Sequence, residues 1–158
     1  MICLKKYRYV ILWTVLCILT AVFIFGNSLK SGEESNAIST GLAEKLLTFI
    51  DADGNLDHEL FHNLLRKAAH FTEFAVLGTF LTLLMFSIRS LTGQYHPAAV
   101  FLTVLSAAVT DEFIQIFTGR GSMVSDVLID FGGGTAAILL VCLIACLIHR
   151  KKKLTANE

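Results

Sequence analysis

Three stretches of the chain set ionisable side chains at helical spacing inside segments that are otherwise apolar: LLRKAAHFTEFAVLG (64–78), TDEFIQIFTGRGSMVSD (110–126) and DVLIDFGGG (126–134). They carry Arg66, Lys67, His70, Glu73, Asp111, Glu112, Gln115, Arg120, Asp126 and Asp130. A charged group in lipid is costly, so a cluster of them within membrane segments points to a functional site. Arg66, Lys67 and Arg120 suit an anionic group, because a guanidinium grips phosphate through two parallel hydrogen bonds. His70, Glu73, Asp111 and Glu112 are the candidates for acid/base chemistry, His70 and Glu73 as a pair and the acids by coupled titration. That set suits a membrane-embedded hydrolase or transferase acting on a lipid-linked substrate, although no nucleophile motif accompanies it.

The same residues allow two other readings. His70 and Glu73 on one helix, facing Asp111, Glu112, Asp126 and Asp130 on others, have the ligand types of a divalent metal site, with His70, Glu73, Glu112 and Asp130 leading. Arg66 and Arg120 would compete for those carboxylates, so no metal and no other cofactor is assigned. The layer could also be an ion-pair network that pins a helical bundle. Its three cations and five carboxylates leave a net charge of −2 before any His70 protonation. A purely structural network should balance, since an unpaired buried charge is costly. The imbalance favours a bound cation, shared protons or a cationic ligand group.

Positioning these residues requires membrane-spanning helices. The 158 residues are 54% hydrophobic and only 16% charged, with a single Pro and a mean hydropathy of +0.66. Four apolar runs in so short a chain leave too few polar residues to cover a water-facing surface. The predicted fold is all-α: a four-helix integral membrane bundle forming a single domain, with spans near 9–26, 68–88, 98–118 and 127–148. The first run follows a basic leader, but it exceeds a signal-peptide core and no small-residue cleavage site follows, so it is read as retained. Helical phase aligns Arg66, His70, Glu73 and Leu77 in one stripe, Asp111, Gln115 and Thr118 in a second, and Asp126, Asp130, Gly133 and Ala137 in a third. At about 1.5 Å of rise per residue, Glu73, Asp111 and Asp130 fall at one depth, so the stripes define a pocket. Gly132, Gly133 and Gly134 beneath Asp130 suit close helix packing.

The polar segment 27–67 is expected to be an outer loop carrying an amphipathic helix on the membrane surface, with Ser35 as its N-cap and Ile38, Leu42, Leu46, Leu47, Phe49 and Ile50 near one face. Asp51, Asp53 and Asn55 alternate like the first ligands of a calcium loop. The required glycine then falls on Leu56 and the closing glutamate on His62, so an ordinary acidic turn is expected. Basic residues predict both termini in the cytoplasm: Lys5, Lys6, Arg8, Arg89, Arg150, Lys151, Lys152 and Lys153 lie inside, and the pocket faces outward. Cys3, Cys17, Cys142 and Cys146 give no disulfide framework, and the last two are expected to fill the core. Tyr9, Trp13 and Tyr95 suit an interfacial belt. The HRKKK tail is a lipid-headgroup signal rather than a nucleic-acid patch.

The signature RKAAHFTEFAVLG followed by TDEFIQIFTGRGSMVSDVLIDFGGG resembles the VanZ-like family of small bacterial membrane proteins. The motif matches at Arg66, Lys67, His70, Glu73, Asp111, Glu112, Gln115, Arg120, Asp126, Asp130 and Gly132, and the resemblance extends to Ser28, Ser35 and Ser39. It implies a multi-pass protein of the cytoplasmic membrane, acting in the cell envelope and in antibiotic resistance of the teicoplanin type. The expected partners are the lipid bilayer and a lipid-linked or cell-wall precursor, and no nucleic acid. The resemblance names no reaction.

Overall fold

Five helices account for nearly all of the described residues, which in this computed structural model are 2–50 and 57–155. They are α1 (Ile2–Ser28), α2 (Gly32–Ile50), α3 (His58–Thr92), α4 (Pro97–Phe117) and α5 (Val124–Thr155), with no strand among the described residues. All except α2 are long and apolar enough to cross a membrane. At most 33% of the most apolar stretch of any of them is buried within the protein. Ile18 and Val22 of α1, Phe113 and Ile116 of α4, and Leu140 and Ile144 of α5 all face outward. Such a surface is unfavourable in water and matches a hydrocarbon solvent, in which the backbone groups of a helix are satisfied internally.

Local signals set the helix ends. Asp57 caps α3, its Oδ1 accepting from the N–H of Glu59 at 2.9 Å and of Leu60 at 3.3 Å. Gly93 closes that helix at φ 75°, a left-handed conformation that glycine adopts without penalty. Pro97 opens α4, where its fixed φ suits the first helical turn. The surface helix starts earlier than expected. Its first turn is tied by the Ser31 hydroxyl, which accepts from the Glu34 N–H at 3.2 Å, and Ser35 lies within the helix rather than capping it. Most of 27–67 is thus helical rather than loop, because α3 already begins at His58. The expected turn at Asp51, Asp53 and Asn55 lies outside the described residues, as do the side chains of Ile38, Leu42, Leu47, Phe49 and Ile50.

Contacts between the helices bring the end of α1, the start of α3, the end of α4 and the start of α5 to one end of the bundle. Ile24, Phe74, Leu77, Val104, Ala108 and Ile138 form the buried core directly beneath that end. α3 and α5 approach most closely through glycine. A Cβ at Gly78 would lie 2.5 Å from the Gly134 carbonyl oxygen, and one at Gly133 would run into the Phe71 carbonyl oxygen. Small residues allow such backbone contact, which in a membrane replaces the missing hydrophobic drive.

At the opposite end, Phe86 stacks on Tyr95 and Arg89 lies 4.8 Å from the centre of that ring. Trp13 is half-buried and stacks on Phe80 at 6.0 Å, so it packs α1 against α3 rather than joining an open belt. Cys17 is buried and Cys142 packs at the edge of the core. Cys146 is exposed on the apolar surface, one turn further along α5, and does not fill the core as expected.

Candidate functional site

Asp111 is the most completely held carboxylate of the polar layer. It is fully buried on α4. Its Oδ1 accepts from the Ser28 hydroxyl at 2.6 Å and its Oδ2 from Gln115 Nε2 at 2.8 Å. Gln115 lies one turn further along the same helix, so a four-residue spacing places its amide against the acid. The same amide nitrogen lies 3.1 Å from Glu112 Oε1. Glu112 Oε2 in turn accepts the Met123 backbone N–H at 3.1 Å. Both Glu112 oxygens are therefore engaged, and this side chain latches the α4–α5 connector.

His70 of α3 lies between two acids. Its Nδ1 is 3.8 Å from Asp111 Oδ2 and 3.7 Å from Asp130 Oδ1. Both distances exceed hydrogen-bonding range, and Nδ1 is buried with no hydrogen-bond partner. Asp130 of α5 is fully buried, and neither of its carboxylate oxygens has a hydrogen bond. One ligand atom from each of His70, Asp111 and Asp130 can be chosen so that all three lie within 4.8 Å of one another.

Two of the three cations, Arg66 and Lys67, stand at a small cleft beside His70 and Asp130, which Asp126 and Ile129 also line. Lys67 Nζ is 3.9 Å from Asp126 Oδ1. Among the described residues Arg66 has no hydrogen bond or ion pair. Arg120 Nη1 donates to the Asn27 carbonyl at 3.3 Å, while its Nε is buried without a partner. Burial, and next the neighbouring Arg66 charge, push the Arg120 guanidinium below its ordinary value, while Asp111, Glu112 and Glu73 pull it back.

Glu73 stands apart from His70. Its Oε1 accepts from Asn27 Nδ2 of α1 at 3.3 Å, and it borders an apolar groove between α1 and α3 with Leu19, Phe23 and Val76. Among the described residues no hydrogen bond or ion pair joins His70 to Glu73. Their three-residue spacing sets them on one side of α3, but α1 captures the glutamate through Asn27. The acids beside His70 are Asp111 and Asp130, which come from other helices.

Asn27 went unrecognised in the sequence. Asn27 contributes its side chain to Glu73 and its carbonyl to Arg120. Thr118 Oγ1 donates towards the Ser28 carbonyl at 3.2 Å, and the Thr118 carbonyl accepts the Gly32 N–H at 3.4 Å. The available signal was an Asn-Ser pair closing an apolar run, the point at which a span must satisfy its last carbonyls.

Four helices long and apolar enough to cross a membrane, with a buried polar cluster at one end of their bundle, define a multi-pass helical membrane protein. Within that class the chain belongs to the VanZ/LLP1 family, which it matches over residues 9–145. No curated protein and no solved structure matches it.

Proposed function

We propose that this VanZ-like membrane protein recognises an anionic, phosphate-bearing group of a lipid-linked envelope intermediate and thereby modulates susceptibility to teicoplanin-type glycopeptides. The observation that carries the reading is the pair Arg66 and Arg120. The Arg66 charge acts against that of Arg120; Arg66 makes no hydrogen bond or ion pair among the described residues, and Arg120 has a buried, unused Nε–H. Like charges with free donors are stabilised by a shared anion, and guanidinium geometry suits phosphate. Lys67, loosely paired to Asp126, adds a third cation. Glu112 and Gln115 hold the connector that bears Arg120, accepting the Met123 and Arg120 backbone N–H groups. Under the inside-positive assignment this cleft opens to the outer side of the cytoplasmic membrane, where such intermediates carry their headgroups.

Expression in a teicoplanin-sensitive bacterium tests the role. Wild-type protein should raise tolerance, and Arg66→Ala, present in the membrane at the same level, should not. Equal tolerance with both proteins would contradict it. A hydrolase or transferase acting on the same lipid-linked group is the second reading. It is favoured by His70 Nδ1, unpartnered between two carboxylates at 3.7 and 3.8 Å.

A further inference from the structure

The anion reading leaves the floor of the cleft without a role. Asp130 is completely buried, yet both its oxygens lack hydrogen bonds. A buried carboxylate in that condition is strongly unfavourable unless something neutralises it. Among the described residues no Lys or Arg forms an ion pair with Asp130: Lys67 lies at Asp126, Arg120 Nη1 donates to the Asn27 carbonyl, and Arg66, although it lines the same cleft, makes no hydrogen bond or ion pair. Asp111 adds a second buried negative charge beside it, and the unpartnered His70 Nδ1 points between the two.

We infer that His70, Asp111 and Asp130 form a binding site for one divalent transition-metal ion, Mn²⁺ or Zn²⁺. The geometry supports it on three counts. Ligand atoms on a tetrahedral ion with bonds of about 2.1 Å lie about 3.4 Å apart. The two distances from His70, 3.7 and 3.8 Å, are too long for hydrogen bonds and a few tenths of an ångström from that spacing, and the three ligand atoms lie within 4.8 Å of one another. The two carboxylates offer a charge of −2 with neutral imidazole, which a divalent ion cancels. The cleft that His70 and Asp130 line with Arg66, Lys67, Asp126 and Ile129 has an open space of about 10 Å³, room for a single water-sized occupant beside those two ligands.

The donor set narrows the ion. The imidazole nitrogen suits Zn²⁺ better than Ca²⁺ or Mg²⁺, which favour oxygen ligands alone, and the two carboxylates suit Mn²⁺. Ser28 and Gln115 fix the Asp111 carboxylate by hydrogen bonds, as the outer partners of metal ligands do. Three protein ligands would leave the metal a position open towards the cleft. The site stands on the orphaned ligand atoms and does not depend on the phosphate reading.

The test uses full-length protein in nanodiscs, stripped with a chelator and titrated with Mn²⁺ alone and Zn²⁺ alone, recording bound ion per chain and melting temperature. Wild type should take up one ion and melt at a higher temperature. Asp130→Asn, relieved of an unpaired charge, should melt without metal at or above the metal-free wild type. It should also bind the ion about 100-fold more weakly or worse, and His70→Gln should show the same loss. If Asp130→Asn does not fold, His70→Gln carries the comparison. Wild type that takes up no stoichiometric ion overturns the site, and a raised metal-free melt of Asp130→Asn would then assign the acid pair a shared proton. Wild-type affinity in the folded variants overturns it equally. No phosphate is present in the titration, so its failure leaves the anion reading untouched.

Discussion

The Ser28 hydroxyl donates to Asp111 Oδ1 at 2.6 Å, joining the end of α1 to α4 across 83 positions of the chain. Both residues are fully buried. The bond fixes one of the two acids flanking His70 and fastens the first helix to the bundle at the level of the site. Ser28→Ala removes a donor from a buried carboxylate, which costs about 1.5–3 kcal/mol for a hydrogen bond to a charged group. The measurement is the thermal midpoint in detergent, which should fall for Ser28→Ala and stay near wild type for Ser31→Ala, where an exposed capping bond is lost. Equal midpoints for Ser28→Ala and wild type would remove this bond from the account of the site.

The glycines of α5 divide into two kinds. A methyl group at Gly132 would sit 4.0 Å from the Phe71 ring, an ordinary contact. At Gly133 it would collide with the Phe71 carbonyl oxygen, which is rigid backbone. Gly133→Ala must therefore separate α3 from α5, and overpacking of this kind costs about 1–3 kcal/mol. Yield of monodisperse protein and thermal midpoint should drop for Gly133→Ala and remain near wild type for Gly132→Ala.

These relationships show which features the sequence made legible. Four spans, and the stripes through His70, Asp111 and Asp130, follow from composition and a period of 3.6, which act within one helix. The partner of a side chain depends on a second helix and on the rotation between the two. Glu73 illustrates this, since its spacing from His70 suggested a pair, whereas Asn27 of α1 draws it away. Gly78 is similar, because a lone glycine in a span becomes a contact only through Gly134 opposite. Ser35 looked like a cap, but Ser31 stands closer to the end of α1 and takes the role. Glu112 carries the same charge as Asp111, and only its bond to the Met123 N–H shows that it latches a connector.

Topology can be read by thiol labelling of intact cells. With the native cysteines replaced, a single cysteine at Gly121, exposed in the α4–α5 connector, should react with an impermeant reagent. One at Gln94, exposed in the α3–α4 connector, should be spared. The reverse pattern would invert the bundle and place the cleft on the cytoplasmic side.

The most direct measurement is binding of a polyprenyl phosphate to the purified protein, compared between wild type and Arg66→Ala. Arg66 has no partner among the described residues, so its removal should leave the thermal midpoint unchanged. The affinity should fall roughly tenfold or more, the loss of one charge-assisted contact worth about 1.4 kcal/mol or above. Equal affinity in the two proteins, with both folded, would contradict an anion site at Arg66 and Arg120.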